Sequence, residues 1–302
     1  MVNKDEIFRE YKSLLFSIAY NMLGQVAAAE DIVQDTFVKW LEADTSQVRQ
    51  TKAYLVKSVT NASINYLQSA RIRRESYVGI WLPEPLHQYD GRDAQTKFET
   101  WHTLSIGILV LLEKLSPVER AVFLLREIFS YDYAELAEVV EKSADNCRQI
   151  CKRAKDSLGK DARRFAVDIK VHERILQHFM RAIEEGHVDD LVQVLKEDIV
   201  LLGDGGGTTF AVNGQRITAT ANPIYGVDKV SRLLLKIVPK FDEHLPGFHR
   251  TIVIANNLPG IISYAGTQPV ALVSIEPEGD KIKAIYVQTN PEKLKRFVKL
   301  AV

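Results

Sequence analysis

A chain of 302 residues with 46% hydrophobic side chains is long enough for two or three domains, each with a core of its own. Its 39 basic and 39 acidic side chains cancel, and they cancel locally too: 24 of each sign in residues 1–170 and 15 of each in residues 171–302. That balance excludes a generally basic nucleic-acid coat, so any DNA contact has to come from local clusters. Residues 146–164 form one, with Arg148, Lys152, Arg153, Lys155, Lys160, Arg163 and Arg164 against two acidic residues. Two cysteines cannot build a disulfide framework. The start of the chain carries no apolar segment behind a basic one, as a signal peptide would. The longest mostly apolar run, Leu104–Leu112, is far below the roughly 20 residues that span a bilayer. The expectation is a reduced, cytoplasmic protein with no membrane partner.

Residues 5–75 predict helices. Ile7, Tyr11, Leu14, Leu15 and Ile18 recur at helical spacing, and Ile32, Val33, Phe37, Trp40 and Leu41 form a second apolar stripe. A third helix is predicted over Ala53–Gln68, followed by the basic run Arg71-Ile-Arg-Arg74. Residues 76–104 change character. Trp81-Leu-Pro-Glu-Pro85 cannot lie in a helix interior, because proline lacks an N–H and clashes with the preceding turn. This segment reads as an extended linker anchored by Trp81 and Leu82.

Helices resume near Phe98. Ser116-Pro-Val-Glu119 and Asp132-Tyr-Ala-Glu135 are capping-box starts, and Ser143 can cap a third helix over Ala144–Leu158. Three short helices with tight turns within residues 105–165 make a helix-turn-helix. On the third, Cys147, Ile150, Cys151, Ala154 and Leu158 share one face. Asp145, Asn146, Arg148, Gln149, Lys152 and Arg153 are left outward, the residue types that bond base edges and phosphates in a major groove. Cys147 and Cys151 sit on successive turns, a poor disulfide geometry, and no further cysteine completes a thiolate zinc site, so both read as core. No metal or cofactor is expected.

Residues 171–302 change pattern again. Helices are predicted over Val171–Glu185, Val188–Leu195 and Val227–Ile237. Strands are predicted over Ile199–Leu202, Arg216–Ala221, Thr251–Ala255, Gly260–Tyr264, Val270–Ile275 and Lys281–Gln288, with turns at Gly203–Gly207, Asn256-Asn257 and Glu278–Asp280. Helices followed by a curled antiparallel sheet suggest an α+β cone.

The order of these motifs resembles the extracytoplasmic-function (ECF) sigma factors of bacterial RNA polymerase. Ala29–Phe37, Leu55–Asn65 and Arg71–Arg74 resemble sigma region 2 over residues 1–75, and the helix-turn-helix resembles region 4. The cone resembles the SnoaL-like branch of the NTF2-like fold, and Trp81–Pro85, Asp204–Thr208 and Asn290-Pro-Glu-Lys-Leu294 resemble the SigJ-type subgroup that carries such a tail. The family's glycine motif usually ends in lysine, where this chain has Thr208. The resemblance implies a multidomain protein: two all-α sigma domains, a linker over 76–104, and an α+β tail over 171–302. It implies binding of core RNA polymerase through Asp31, Gln34, Asp35 and Phe37. Promoter DNA would be bound through Asn61, Asn65, Arg71, Arg73, Arg74, Asn146, Arg148, Gln149, Lys152 and Arg153. Regulatory contacts would involve Trp81, Leu82, Pro83, Asp204, Gly205, Gly206, Gly207, Asn290, Pro291 and Leu294.

Taken alone, the acidic face of the second helix also fits a solvated surface, and Asn61 and Tyr66 also fit helix packing. A rival reading is a helix-turn-helix regulator whose tail senses a small molecule or is a cyclase-like enzyme, which leaves a small-molecule ligand of the tail as a further candidate partner. Catalysis would need an acid–base residue in a pocket, and His244, His249, Asp204 and Asp242 show no paired spacing, so no enzyme is expected.

Overall fold

The structure is a computed structural model. It describes residues 4–43, 48, 50–74, 77, 79–87, 103–159, 168–206, 210–212, 215–217, 220 and 222–298; residues 4, 5, 70–74, 210–212, 215–217 and 242 enter with their backbone only. The chain divides into two compact units, one formed by Met1–Ser76, Asp90–Leu104 and Ile108–Phe165, the other by Tyr77–Tyr89, Ser105–Gly107 and Ala166–Val302.

The first unit is helical. α1 (Lys4–Leu23), α2 (Val26–Glu42) and α3 (Thr51–Arg74) pack through Leu15, Ile18, Leu23, Val26, Ile32 and Val59, all buried. α3 is longer than its apolar spacing predicts: the basic run continues the helix. α4 (Ile106–Leu112), which belongs to this unit from Ile108 on, leads to α5 (Pro117–Glu127), α6 (Tyr133–Val140) and α7 (Ala144–Leu158). Both predicted capping boxes form. Ser116 N–H donates to Glu119 Oε2 at 3.0 Å, and Asp132 N–H to Glu135 Oε2 at 2.7 Å. Ser143 Oγ accepts from Asn146 N–H at 3.2 Å. Each bond satisfies a backbone donor that a helix start leaves without a partner.

Two polar side chains join the helix groups of this unit at helix C-termini, where carbonyls lack intrahelical donors. Arg120, 4% exposed, donates to Met22 O at 2.7 Å and to Glu113 at 2.8 Å. Asn61 Nδ2, on α3, donates to Val139 O at the end of α6 at 3.3 Å. Lys57, one turn earlier, pairs with Glu141 just beyond that end at 2.9 Å. A cation near a helix C-terminus is favourable, though this pair is well exposed and contributes little.

The second unit is the α+β cone. α8 (Ile169–Glu185) and α9 (Val188–Val194) precede β1 (Leu195–Asp204), β2 (Phe210–Val212), β3 (Gln215–Ile217) and β4 (Ile224–Tyr225). α10 (Val227–His244) is followed by β5 (Phe248–Ala255), β6 (Leu258–Ala265), β7 (Gln268–Glu278) and β8 (Lys281–Gln288). α11 (Pro291–Leu294) and a 3-10 turn (Lys295–Phe297) close it. The main sheet runs β4-β1-β8-β7-β6-β5, and β2 pairs with β3 separately. The antiparallel expectation needs one correction: β1 lies parallel to β8. Crossing from β1 to β8 takes the rest of the unit, a pairing that no local pattern announces. α10 also outruns its predicted end at Ile237. Pro239 lies inside this helix, on its exposed side, and has no N–H to donate to the Leu235 carbonyl. The core of this unit joins Leu176, Phe179 and Ile183 of α8 to Leu201, Ile261, Ile275 and Ile285 of the sheet.

Candidate functional site

α2 presents Asp31, Gln34 and Asp35 on one exposed face. Val38 and Leu41 extend that face, each 51% exposed, at the spacing that keeps residues on one side of a helix. Helical spacing predicts Leu41 in the core stripe and gives no sign of an exposed Val38; both lie at the surface. Phe37 does not share the face. It is 5% exposed and meets Phe8 edge-on at 4.3 Å between ring centroids, so its position is that of a core residue.

α7 divides as its sequence predicts. Cys147, Ile150, Cys151, Ala154 and Leu158 are buried, and Asn146, Arg148, Gln149, Lys152 and Arg153 are exposed. Both cysteines are reduced, and burial raises the pKa of each thiol. Arg148 pairs with Asp145 and lies 5.2 Å from the Tyr133 ring centroid, which holds its guanidinium at the N-terminal end of the helix. On α3, Asn65 is exposed, while Asn61 is half-buried and bonded to Val139 O. Tyr66 OH donates to Gln25 Oε1 at 3.1 Å, a packing role. The side chains of Arg71, Arg73 and Arg74 lie outside the described residues, as do Gly207 and Thr208.

The three remaining motifs converge. Asp204, at the end of β1, is fully buried, and its carboxylate accepts four hydrogen bonds: Tyr77 OH at 2.5 Å, Lys293 Nζ at 2.6 Å, Leu82 N–H at 2.7 Å and Gly206 N–H at 2.9 Å. Burial, and then the bond to Asp204, raises the Tyr77 pKa and keeps the phenol protonated as a donor. Lys293, 8% exposed, also donates to Leu82 O and lies 4.6 Å from the Trp81 ring centroid. Gln288 Nε2 donates to Pro83 O. Asn290 caps α11 by accepting from Glu292 N–H at 3.0 Å and donates to Tyr77 OH at 3.2 Å. Pro291 takes the first position of that helix, and Leu294 is fully buried beside Tyr264 and Phe297.

Gly206 has φ +63°, and a Cβ there would lie 2.3 Å from Asn290 Nδ2, so glycine is required twice over. Gly205 is its half-buried neighbour. Farther along the linker, Leu86 exchanges hydrogen bonds with Asn256, donating to its side chain at 2.9 Å and accepting from its N–H at 3.0 Å. Asn256 and Asn257 both have positive φ and make the tight β5–β6 turn. The described part of 77–87 is therefore held by the cone at Tyr77, Leu82, Pro83 and Leu86. Tyr77, Leu86, Asn256, Gln288 and Lys293 contribute to this hold and are not in the contact set that the sequence predicts. Of these, only Lys293 belongs to a motif.

Between α8, α10 and the sheet the cone has a partly open, mostly apolar pocket of about 130 Å³, with Glu184, Thr220 and Arg250 among its lining residues. Among the described side chains, the candidate acid–base residues Asp204, His244 and His249 do not line it. Asp204 is committed to the hydrogen bonds that clasp the linker onto the cone, His244 and His249 are exposed, and the side chain of Asp242 lies outside the described residues. No helix among the described residues is long and apolar enough to cross a membrane.

Sigma-70 region 2 matches residues 7–72, and Sigma-70 region 4 matches residues 106–158. The chain is 30% identical over 295 residues to the ECF RNA polymerase sigma factor SigJ of Mycobacterium tuberculosis, covering 95% of this chain and 91% of that protein. It is 24% identical over 296 residues to the probable ECF RNA polymerase sigma factor SigI of the same species, covering 95% and 93%. The crystal structure of the M. tuberculosis SigJ superposes with a TM-score of 0.76 at 26% identity, over 96% of this chain and 98% of that one. Two sigma regions in order, an α+β cone behind them and full-length similarity to SigJ lead to one conclusion: the chain belongs to the ECF RNA polymerase sigma factors.

Proposed function

We propose that this sigma factor, a promoter-specificity subunit by its family, engages core RNA polymerase through the exposed α2 face of Asp31, Gln34, Asp35, Val38 and Leu41. The observation that carries this reading is the pair of half-exposed aliphatic side chains set among acidic ones on a single helix face. Region 2 then opens and reads the upstream edge of the transcription bubble through Asn61, Asn65 and the Arg71–Arg74 run, because splayed bases offer edges to amides and phosphates offer charge to arginine. Region 4 reads the distal promoter element through the exposed face of α7, with Arg148 and Gln149 on base edges and Lys152 and Arg153 on phosphates. The Asn61–Val139 bond supports a resting state in which region 4 occupies part of the DNA-reading face of α3 and has to leave it on promoter binding.

The cone regulates in cis and is not an enzyme. Its hold on residues 77–87 folds the connector between the two sigma domains into the tail, so the reach of region 4 depends on whether that clasp is closed. Polymerase and DNA can drive its opening only through a difference in affinity between the two arrangements. The place of work is the cytoplasm, where polymerase and promoters are. Core association is tested by a pulldown with the Asp31→Arg, Asp35→Arg double variant. Loss of core binding with an unchanged melting curve is expected, and full retention would reject the α2 face.

A further inference from the structure

The cone holds the chain again directly behind the linker. Ser105–Gly107 belong to the cone unit, although the helix that starts there, α4, runs on into the helical unit. Side chains alternate across a strand. Ile275 of β7 and Ile285 of β8 point into the core, so Glu276 and Tyr286 point to the opposite face of the sheet. Glu276 stands opposite Ala284, which makes Tyr286 its diagonal neighbour, within reach of a long side chain. Tyr286 is 5% exposed, and its hydroxyl donates to Glu276 Oε2 at 2.6 Å. Gly107 fits against this pair. A Cβ there would lie 2.5 Å from Glu276 Oε2 and 3.2 Å from the Tyr286 hydroxyl. Neither oxygen can give way alone, because each holds the other. Gly107 has a helical φ that any residue adopts, and glycine is a poorer helix former than alanine, so the local backbone gives no reason for it. What glycine supplies is closeness: the main chain of the first turn of α4 rests directly on Glu276 and Tyr286. Gln288, two residues along β8 on the same face, donates to Pro83 O. One face of the sheet therefore holds the linker at Pro83 and the chain behind it at Gly107.

We propose that Glu276 and Tyr286 are positioning residues, a second anchor separate from the Asp204 clasp, which seats the start of region 4 and so sets the spacing of promoter elements that this factor accepts. The inference rests on the reading of the chain as a promoter-specificity factor regulated in cis by its cone, and it divides that regulation in two. Opening the clasp alone frees the linker and leaves the start of region 4 seated. Opening this anchor alone frees region 4 and leaves the clasp shut. Each base pair added between two promoter elements moves the distal one by about 3.4 Å and turns it by about a tenth of a helical turn. A helix start seated through glycine on two mutually bonded side chains cannot follow that displacement without leaving its seat, so a closed anchor favours one spacing over its neighbours.

In vitro transcription with core RNA polymerase and the full chain tests it, on a cognate promoter whose spacer is varied one base pair at a time. The intact chain should peak at one spacer length. In the Glu276→Ala, Tyr286→Phe double variant, output one base pair to either side of the peak, relative to the peak itself, should rise about two- to tenfold, the size of one net hydrogen bond. Gly107→Ala leaves the sheet untouched and improves the helix propensity of α4, yet it should flatten the profile in the same way; it decides the matter where the double variant fails to fold. Asp204→Asn should change the output and keep the shape of the peak. A peak as sharp in Gly107→Ala as in the intact chain overturns the anchor, and so does a sharp peak in a double variant that melts like the intact chain; an effect of Asp204→Asn then leaves regulation by the clasp standing. A loss of output equal at every spacer length makes the pair a stabilising contact and overturns its positioning role. Output that does not depend on the intact chain overturns the promoter-specificity reading, and the anchor with it.

Discussion

Replacing Asp204 by Asn should open the clasp on residues 77–87 without unfolding the cone. The carboxylate is fully buried and meets four donors, one of them the ammonium of Lys293, whose side chain is only 10% exposed. Asparagine keeps one accepting oxygen and turns the other into an NH₂ group, which meets both Leu82 N–H and Lys293 Nζ in one orientation, or Gly206 N–H in the other, donor to donor. The Lys293 charge is then left buried without its counter-charge. Breaking a buried pair from one side costs about 3–5 kcal/mol. The Trp81 ring, 4.6 Å from Nζ, remains and offsets about 1 kcal/mol of that. A net loss of about 3 kcal/mol corresponds to about two orders of magnitude in the local opening equilibrium, at 1.36 kcal/mol per tenfold. Hydrogen exchange of the Leu82 amide in the full chain reads it directly, since that N–H donates to Asp204. Leu86, held separately by Asn256, should lose less protection. Adding Lys293→Met to Asp204→Asn removes the stranded charge and should restore much of the protection. Unchanged Leu82 exchange in Asp204→Asn would refute the reasoning that this carboxylate holds the linker.

Gly206→Ala should loosen the same segment by about 1–3 kcal/mol, because alanine is strained at φ +63° and its Cβ collides with Asn290; the exchange experiment checks it. Asn61→Ala should lower the stability of the helical unit by about 0.5–1.5 kcal/mol in urea titration and also reduce promoter opening in permanganate footprinting. A loss of stability alone would make Asn61 a packing residue only. Gln149→Ala should cost about 1–3 kcal/mol on a cognate promoter and little on unrelated DNA, measured by gel shift at fixed salt. His172 is fully buried, and burial lowers its pKa against the opposing bond to the Pro259 carbonyl. The unfolded chain therefore takes up a proton on this residue near pH 6.5 that the folded one refuses, so this contribution is full above pH 6.5 and is lost as the pH falls below it. His172→Gln should flatten the pH dependence of the urea midpoint between neutral and mildly acidic pH.

What was legible in the sequence was local. The polar–apolar split of α7 follows from residues three and four apart, and its capping Ser143 and the two capping boxes each involve neighbours within one turn. The helical period does not distinguish a core stripe from its edge, which is why Leu41 was assigned inward and the exposed Val38 passed over. Phe37 carries two readings, a place in the apolar stripe from its spacing and a polymerase contact from the resemblance, and its burial against Phe8 agrees with the first. The parallel β1–β8 pair and the clasp are long-range facts. Asp204 meets Leu82 across 122 positions, and Tyr77 meets Asn290 across 213. The sequence displayed Trp81–Pro85, Asp204–Gly207 and Asn290–Leu294 as three separate oddities. Only the fold brings the ends of β1 and β8 together at one buried carboxylate.

The central claim is that this chain directs polymerase to promoters. In vitro transcription on a genomic fragment library, with core RNA polymerase from the same organism and the intact chain, tests it most directly. Discrete start sites that depend on the chain and share an upstream element, weakened by Gln149→Ala and lost with Asp31→Arg, Asp35→Arg, are predicted. Start sites that are the same with and without the chain would contradict it.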